Sequence, residues 1–244
     1  MSVLDKIIKV DFPDDQYYPI ETDKKQIVLH HTVSYRGVQG DINWWLGDDA
    51  RVATHIIIDW KGVPYQCYST RYWGHHLGVK VAIFEAFNID LIWKKRSNGK
   101  SYVANNEILN QHSIGVEIDS LGPLELKEDG KLYDAYNREF KDMSRVYEYD
   151  KPFRGYKYYE KYTDEQIQTT KELLLFWKEH WNIPLTYNAD MWDMSKRALS
   201  GEPGVWAHVS FREANKKQDV HPQENLIEML KGLTDTSFTK VKHV

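Results

Sequence analysis

The sequence predicts an α/β fold in a single domain, and three observations support this. Residues 27–29 and the segment "HSIGVEIDS" are short, apolar and rich in β-branched side chains, which is typical of buried strands. The segment "YTDEQIQTTKELLLFWKEHWNIP" repeats apolar residues at the spacing of an amphipathic helix. No internal repeat or Gly/Ser-rich linker divides the 244 residues, a length that can bury a substantial core.

Further elements follow from local signals along the chain. Asp41 in "DINWWLGDDA" is a candidate N-cap for a short helix. The segment "RVATHIIIDWKGVPYQCYS" predicts two strands joined by a tight turn at residues 59–62. Thr163 and Gln166 have the spacing of a capping box at the start of the long helix. A last helix is predicted over "PQENLIEMLKG", ending at Gly232.

These elements predict how the chain is organised. We expect an N-terminal extension over residues 1–24, a catalytic domain over 25–232 and a polar tail over 233–244. Two long segments, 79–112 and 122–154, fit no simple connection between neighbouring elements and are predicted to be irregular insertions.

Composition argues against several classes of function. The net charge of −4 disfavours a general binder of nucleic acid or of anionic membranes, since both partners favour a basic surface. No segment approaches the ~18 consecutive apolar residues that a membrane span needs. Cys67 is the single cysteine, so the fold cannot depend on an intrachain disulfide. The N-terminus lacks a signal-peptide pattern, and we therefore expect a soluble protein that is cytoplasmic as synthesised.

The adjacent histidines His30 and His31 follow directly after an apolar run. Successive side chains on a strand point to opposite faces, so both rings cannot bind one metal ion from a regular strand. Both faces of this run are apolar, and alternation alone does not say which histidine is the ligand. The same alternation places Glu117 and Asp119 together on one face of the strand "HSIGVEIDS".

A third group of polar residues lies in "GVWAHVSFREANKKQDVHP". His208 is followed by Lys217, Asp219 and His221. Imidazole and carboxylate ligands suit zinc, which in catalytic sites takes three protein ligands and leaves one position for water. The spacing permits such a site without being specific for it, and it leaves Asp219 and His221 as rival ligands.

Six segments in order resemble the type 2 N-acetylmuramoyl-L-alanine amidases, a superfamily that includes phage lysozyme-like amidases and peptidoglycan recognition proteins. They are "IVLHHT", "VATHIIIDWKG", "WGHHLG", "HSIGVEI", the capped helix and "AHVSFREANKKQD", and they cover roughly residues 25–230. The resemblance implies a central mixed β-sheet flanked by helices. It also implies zinc as the cofactor and peptidoglycan or a muropeptide as the substrate.

The resemblance further implies roles for individual residues. His30, His208 and Asp219 match the positions of the family's zinc ligands. Glu117 matches the catalytic glutamate of the bacterial amidases, a general base and then acid. Lys217 precedes the third ligand by two positions, as in the family, and is expected to face the polarised carbonyl.

Other positions depart from the family pattern or are candidates for contacts with the substrate. Val220 stands where the family often has proline, which keeps His221 open as a rival third ligand. Thr54 stands where some members place a tyrosine or another group, and we expect it to contact the substrate. His76 is our choice for a further substrate contact, and Trp73 either stacks on a sugar or packs in the core.

The expected reaction is hydrolysis of the amide bond between N-acetylmuramic acid and L-alanine. An endolysin that reaches the wall through a separate pore protein and a cytoplasmic enzyme that recycles wall fragments are both compatible with this reaction. The alternatives are a non-catalytic peptidoglycan-binding module of the same fold and a glycoside hydrolase that uses Glu117 and Asp119. We expect a monomer that binds no nucleic acid and does not insert into membranes.

Overall fold

The computed structural model describes residues 3–214 and 218–235, and all structural statements concern these residues. They form strands and helices that alternate along the chain. The strands are β1 (Ile8–Lys9), β2 (Gln26–His31), β3 (Ile56–Ile58), β4 (Pro64–Gln66), β5 (Trp93–Lys95), β6 (Ser101–Val103), β7 (Ser113–Ile118), β8 (Pro123–Leu126), β9 (Leu132–Tyr133), β10 (Glu139–Phe140), β11 (Val146–Phe153), β12 (Tyr156–Glu160) and β13 (Gly204–Ala207). The α-helices are α1 (Gly37–Leu46), α2 (Val81–Ala86), α3 (Asn105–Gln111), α4 (Asp164–Trp181), α5 (Lys196–Leu199) and α6 (Glu224–Asp235).

A six-stranded mixed sheet lies at the centre of the molecule, in the order β1-β4-β3-β7-β2-β13. Strand β4 pairs with β3 in the antiparallel direction, and every other pair in this sheet is parallel. Strands β2 and β7 are buried along their whole length, as expected for parallel strands covered on both faces. The predicted α/β class with a central mixed sheet is therefore confirmed.

Helices cover both faces of this sheet. Ile56 and Ile58 of β3 belong to the main hydrophobic core, together with Leu174 and Trp177 of α4 and with buried residues of α6. Ile57 points to the other face, where it joins a smaller core with Val38, Ile42 and Trp45 of α1. The alternation of one strand thus divides the interior into two cores, one on each side of the sheet.

Two of the predicted local signals are confirmed. The side chain of Thr163 accepts a hydrogen bond from the Gln166 amide, and the Gln166 side chain accepts one from the Thr163 amide, which completes the capping box of α4. In the turn between β3 and β4, the carboxylate of Asp59 accepts a hydrogen bond from the Val63 amide. Gly62 has a φ of +75° there, and an added Cβ would lie 2.6 Å from the backbone of α4.

The start of α1 differs from the prediction. The helix begins at Gly37, so Asp41 lies in its second turn and is not an N-cap. The helix starts earlier because Val38 is buried against the smaller core, and this contact extends the apolar face by one turn. Asp41 is therefore available for the cavity described below.

The end of α6 also differs from the prediction, because the helix continues past Gly232 to Asp235. A glycine commonly ends a helix by adopting a left-handed conformation, and Gly232 does not adopt one. Leu233 is buried in the main core and continues the apolar face of the helix. Residues 236–244, which include most of the predicted polar tail, lie outside the described residues.

The two segments predicted to be irregular are ordered, and this prediction was wrong. Most of a second, antiparallel sheet, in the order β10-β9-β8-β12-β11, comes from residues 122–154. Residues 79–112 contain α2, a hairpin of β5 and β6, and α3. Their strands are short or largely exposed on both sides, so they lack the apolar alternation by which strands are recognised in a sequence.

The N-terminal residues take part in the central sheet, since Ile8 and Lys9 pair in parallel with β4. The domain boundaries proposed from the sequence remain a prediction. No helix in the described part of the chain is long and apolar enough to span a membrane. Cys67 is a buried free thiol, and burial raises its pKa, so that it stays protonated at neutral pH.

Candidate active site

Three adjacent parallel strands end at the same edge of the central sheet and bring polar residues together there. His30 near the end of β2 pairs in register with Glu117 of β7, so the two side chains lie on the same face. On the other side of β2, Ala207 of β13 pairs with Leu29, and His208 follows it directly. The rings of His30 and His208 consequently lie 4.3 Å apart, measured between centroids.

The adjacent histidines point to opposite faces, as strand alternation predicts. His30 faces His208 and Glu117, whereas Nδ1 of His31 lies 2.9 Å from the hydroxyl of Tyr162 on the other side of the sheet. Both side chains are almost completely buried. The structure therefore gives His30 and His31 different surroundings, and only His30 lies beside the other candidate ligands.

His30, His208 and Asp219 form a cluster that could hold a metal ion. One potential ligand atom from each residue lies within 4.8 Å of the others, and all three residues are buried. The Asp219 Oδ2 atom is 2.8 Å from Nδ1 of His208 and 3.5 Å from Nδ1 of His30. The backbone supports this approach, because the Val209 amide donates a hydrogen bond to the Asp219 carbonyl.

The hydrogen bonds of His208 indicate what this cluster is suited to bind. Its Nε2 lies 2.9 Å from the carbonyl oxygen of Leu77, which can only accept, so Nε2 carries the hydrogen. The neutral ring then has its lone pair on Nδ1, facing Asp219. Two electron-rich atoms at 2.8 Å require a proton or a metal cation between them. Two imidazoles and one carboxylate are a donor set typical of catalytic zinc.

Glu117 stands next to this cluster. Its Oε1 atom lies 3.9 Å from Nδ1 of His30, and about 9% of the residue is exposed, in a groove that opens to solvent. The carboxylate is thus close to the candidate ligands and reachable by a bound molecule. This position suits a group that accepts and returns a proton.

His221, the rival third ligand, lies elsewhere. Its Nδ1 is 2.8 Å from the hydroxyl of Tyr149, its Nε2 is 3.2 Å from the Glu160 carbonyl, and its ring stacks on Tyr159. Burial lowers the pKa of His221 well below its usual value, which keeps the ring neutral in this aromatic cluster. Of the two candidates, Asp219 is the one that the structure brings to His30 and His208.

The structure describes two of the three remaining predicted site residues. Thr54 is buried in the groove wall, where its hydroxyl lies 3.3 Å from the Ile56 carbonyl. Trp73 is buried and its ring stacks on Tyr18 at 3.8 Å, which favours the packing alternative over sugar stacking, and a contact with substrate stays a prediction. Lys217 lies outside the described residues, and its expected role stays a prediction.

The groove has a volume of about 920 Å³ and extends from His30 and His208 of the candidate metal cluster to α1 and the second sheet. His30, Glu117 and His208 line its deep end. Trp44 of α1 and Tyr136 of the β9–β10 connection line its outer part, and both are more than half exposed. An extended ligand can therefore reach the cluster while it contacts aromatic rings at the surface.

Two carboxyl groups near the groove have raised pKa values. Burial and, to a smaller extent, the negative charge of Asp119 together raise the pKa of Asp41 to about 8, although a hydrogen bond from Ser34 opposes the shift. Burial raises the pKa of Asp119 to about 6, where the charge of Glu160 adds to the effect. Asp41 is consequently protonated at neutral pH and can donate a hydrogen bond in the groove.

Sequence reasoning assigned no role to three residues behind the cluster. The carbonyl of Leu77 orients His208, Ser113 lies 2.9 Å from Nε2 of His76, and Asn110 accepts from the amides of His76 and Leu77. Their contacts join positions more than 30 residues apart, and no local pattern in a single sequence encodes such pairs.

A mixed sheet with a candidate metal cluster at the carboxyl ends of its parallel strands defines an α/β protein with a surface-accessible polar site. The chain belongs to the N-acetylmuramoyl-L-alanine amidase family, because the sequence model of that family matches residues 21–222. The resemblance noted from the six segments is therefore confirmed. No match was found among curated proteins.

Several solved structures are similar to this chain at low sequence identity. A structure of PlyL is 14% identical, with a TM-score of 0.49, and the match covers 92% of this chain and 96% of that one. The endolysin amidase LysCS from Clostridium intestinale URNW is 13% identical with a TM-score of 0.46, covering 93% and 94%. A selenomethionine derivative of AmpD is 14% identical with a TM-score of 0.46, covering 92% and 94%.

The different surroundings of His30 and His31 generate a testable prediction. We expect His30→Ala to lose stoichiometric zinc, because it removes one of three converging ligands, whereas His31→Ala retains zinc and lowers the free energy of unfolding by about 1–3 kcal/mol. Metal content by mass spectrometry and urea denaturation measure the two effects. Zinc loss in His31→Ala together with retention in His30→Ala would contradict the assignment.

The raised pKa of Asp41 predicts a dependence of stability on pH. Its pKa rises from 3.8 to about 8 on folding, so the folded state holds a proton that the unfolded state releases. This contribution is fully present below pH 4 and is lost as the pH rises towards 8. We expect Asp41→Asn to be more stable than the wild type at pH 8, by on the order of 1–3 kcal/mol, with the difference shrinking towards pH 4. A difference that is constant across this range in urea denaturation would refute the prediction.

Proposed function

We propose that the protein is a zinc-dependent N-acetylmuramoyl-L-alanine amidase that hydrolyses the amide bond between N-acetylmuramic acid and L-alanine in peptidoglycan. The observation that carries this proposal is the convergence of His30, His208 and Asp219, the two histidines of which line an open groove. Membership of the amidase family supplies the class of substrate and the bond.

His30, His208 and Asp219 would hold the metal ion. Zinc supplies a Lewis acid that polarises the scissile carbonyl and makes water more acidic. The burial of these three side chains strengthens the electrostatic interactions among them and excludes competing solvent. Their arrangement beside the groove favours an enzyme over a binding module of the same fold, which would need no such set.

Glu117 would act as the general base and then the general acid. It lies beside the cluster on the groove side, where it can accept a proton from the attacking water and return it to the leaving amine of L-alanine. Lys217 is expected to stabilise the negative charge that develops on the carbonyl oxygen. Lys217 stands two residues before Asp219, and its role is carried over from the family pattern.

A glycoside hydrolase is less well supported. Such an enzyme would use Glu117 and Asp119 as its pair of carboxyl groups. Asp119 accepts a hydrogen bond from the Thr32 hydroxyl at 3.3 Å, and the cluster of His30 and His208 would have no part in the reaction. The amidase assigns a role to every polar residue at the deep end of the groove.

We further propose that the natural substrate is polymeric peptidoglycan, as for an endolysin that lyses the wall, and not a soluble recycled fragment. The groove is open along its outer part, and Trp44 presents a largely exposed ring there. Flat aromatic surfaces contribute contact area at little conformational cost, which suits a repeating polymer that passes over the rim. Release through a separate pore protein and a monomeric state remain proposals.

The reaction is tested by digesting purified peptidoglycan and assaying both kinds of new chain end. We expect new N-terminal L-alanine, its loss on treatment with a chelator, and its return on addition of zinc. Glu117→Gln should keep zinc and lose activity by about 10²–10⁴-fold, because the amide cannot take up the proton. Glu125→Gln, an exposed change on β8, is the matched control and should retain activity. New reducing ends without new N-termini would refute the amidase.

The preference for a polymer is tested with Trp44→Ala. Removing an exposed anchor of this size should lower kcat/KM on intact sacculi by about tenfold. Activity on a soluble disaccharide peptide should change less, since a short substrate does not reach the rim. Trp93→Ala is the matched control, because Trp93 is equally exposed but lies outside the groove. A wild-type enzyme that cleaves only the soluble fragment would contradict the lytic role.

A further inference from the structure

We propose that the dipeptide His76–Leu77 orients both histidine ligands from behind, and that His76 is therefore a positioning residue and not a contact for substrate. This inference rests on the proposed zinc site. One member of the dipeptide acts on each ligand: the ring of His76 on His30, and the backbone carbonyl of Leu77 on His208.

The effect on His208 follows from a single hydrogen bond. Its Nε2–H group donates to the Leu77 carbonyl at 2.9 Å, which fixes the ring rotation and leaves the lone pair on Nδ1. This lone pair is directed to the Asp219 side of the cluster, where Nδ1 is 2.8 Å from Oδ2. A hydrogen bond from the far nitrogen of a ligand histidine to a carbonyl is a known way to fix its tautomer.

The effect on His30 follows from a chain of three hydrogen bonds. The Ser113 hydroxyl donates to the Leu109 carbonyl at 2.8 Å, so its oxygen accepts from Nε2–H of His76 at 2.9 Å. Nδ1 of the neutral His76 ring then carries the lone pair and accepts from Nε2–H of His30 at 3.0 Å. His30 is left with its lone pair on Nδ1, the atom that faces Asp219.

The dipeptide is itself held rigidly. The side-chain oxygen of Asn110 accepts hydrogen bonds from the amides of both His76 and Leu77, at 2.8 and 3.2 Å. The ring of His76 lies against Gly115 of β7, where an added Cβ would be 3.0 Å from Nδ1. A side chain at position 115 would therefore push the ring away from His30.

The hydrogen bonds of the His76 ring argue against a direct role in substrate binding, although His76 lies in the groove wall. Both ring nitrogens are engaged, Nδ1 with His30 and Nε2 with Ser113. A substrate group could bond to the ring only by displacing one of them. The neighbouring His75 instead contacts the Tyr18 hydroxyl through Nε2 at 3.2 Å.

The test compares two substitutions of nearly equal shape. Asn at position 76 can place a carbonyl oxygen close to the position of Nδ1 and accept from His30, whereas Leu cannot accept. Zinc affinity is measured by competition with a chromophoric chelator, and circular dichroism checks the fold. We expect His76→Leu to weaken zinc binding about 10–100-fold and His76→Asn to restore most of it. His75→Leu is the control and should leave zinc affinity unchanged.

Nitrogen-15 spectra of labelled histidines provide the second measurement. In the zinc-loaded wild type we expect His30 and His208 to bind through Nδ1 with the hydrogen on Nε2. Ser113→Ala, a smaller change than His76→Leu, should raise the population of the other His76 tautomer and weaken zinc binding in the same direction. It keeps the inference testable if His76→Leu does not fold.

The outcomes separate this inference from the proposed function. A wild-type protein that binds no zinc would overturn both. A wild-type protein that binds zinc, with His76→Leu binding it equally well and showing only a raised KM, would overturn the positioning role alone and make His76 a substrate contact. Equal losses in His76→Asn and His76→Leu would also overturn it, since the hydrogen-bond acceptor would then be irrelevant.

Discussion

The register between three parallel strands is the constraint on which the rest of the site depends. Strand β2 lies between β7 and β13, and its pairing sets Glu117 level with His30 and brings His208 to the same height. A slip of one residue would turn His30 to the opposite face and replace it with His31. The buried isoleucine and valine side chains of these strands prevent such a slip, because it would exchange the residues that face the two cores. The hydrophobic packing of the sheet thus fixes the positions of the candidate catalytic and ligand residues.

Much of the fold and part of the site could be predicted from local patterns. Strand alternation alone predicted that His30 and His31 point to opposite faces, and the resemblance of six segments selected His30 as the candidate ligand. The choice between Asp219 and His221 could not be made from a local pattern, because both follow His208 in a stretch without regular periodicity. The structure brings Asp219 to the other two candidate ligands. It surrounds His221 with Tyr149 and Tyr159, which distant strands contribute. Burial by residues that are distant in the sequence produces no recognisable pattern in the residues next to His221.

The residues that hydrogen-bond to the candidate ligands or to the His76 loop could not be predicted from the sequence for the same physical reason. Asn110 and Ser113 lie at the junction of α3 and β7, and their polarity at this point resembles that of an ordinary turn. Their importance comes from contacts with the loop at His76, more than 30 residues away. The segment 79–112 therefore contributes to the candidate site without lining the groove. The side-chain oxygen of Asn110 in α3 accepts the hydrogen bonds that hold the loop at His76.

The second sheet contributes to the site through Arg154, which lies between β11 and β12. Its guanidinium donates to the carbonyls of Val209 and Arg212, on either side of the turn that follows His208. Burial lowers the pKa of Arg154, and the negative charges of Asp193 and Asp219 oppose this shift. The positive charge of Arg154 therefore interacts with Asp219, one of the candidate ligands. A buried carboxylate between two imidazoles is costly without compensation. Arg154 offsets part of that cost, so the insertion at 122–154 stabilises the cluster electrostatically as well as walling the groove.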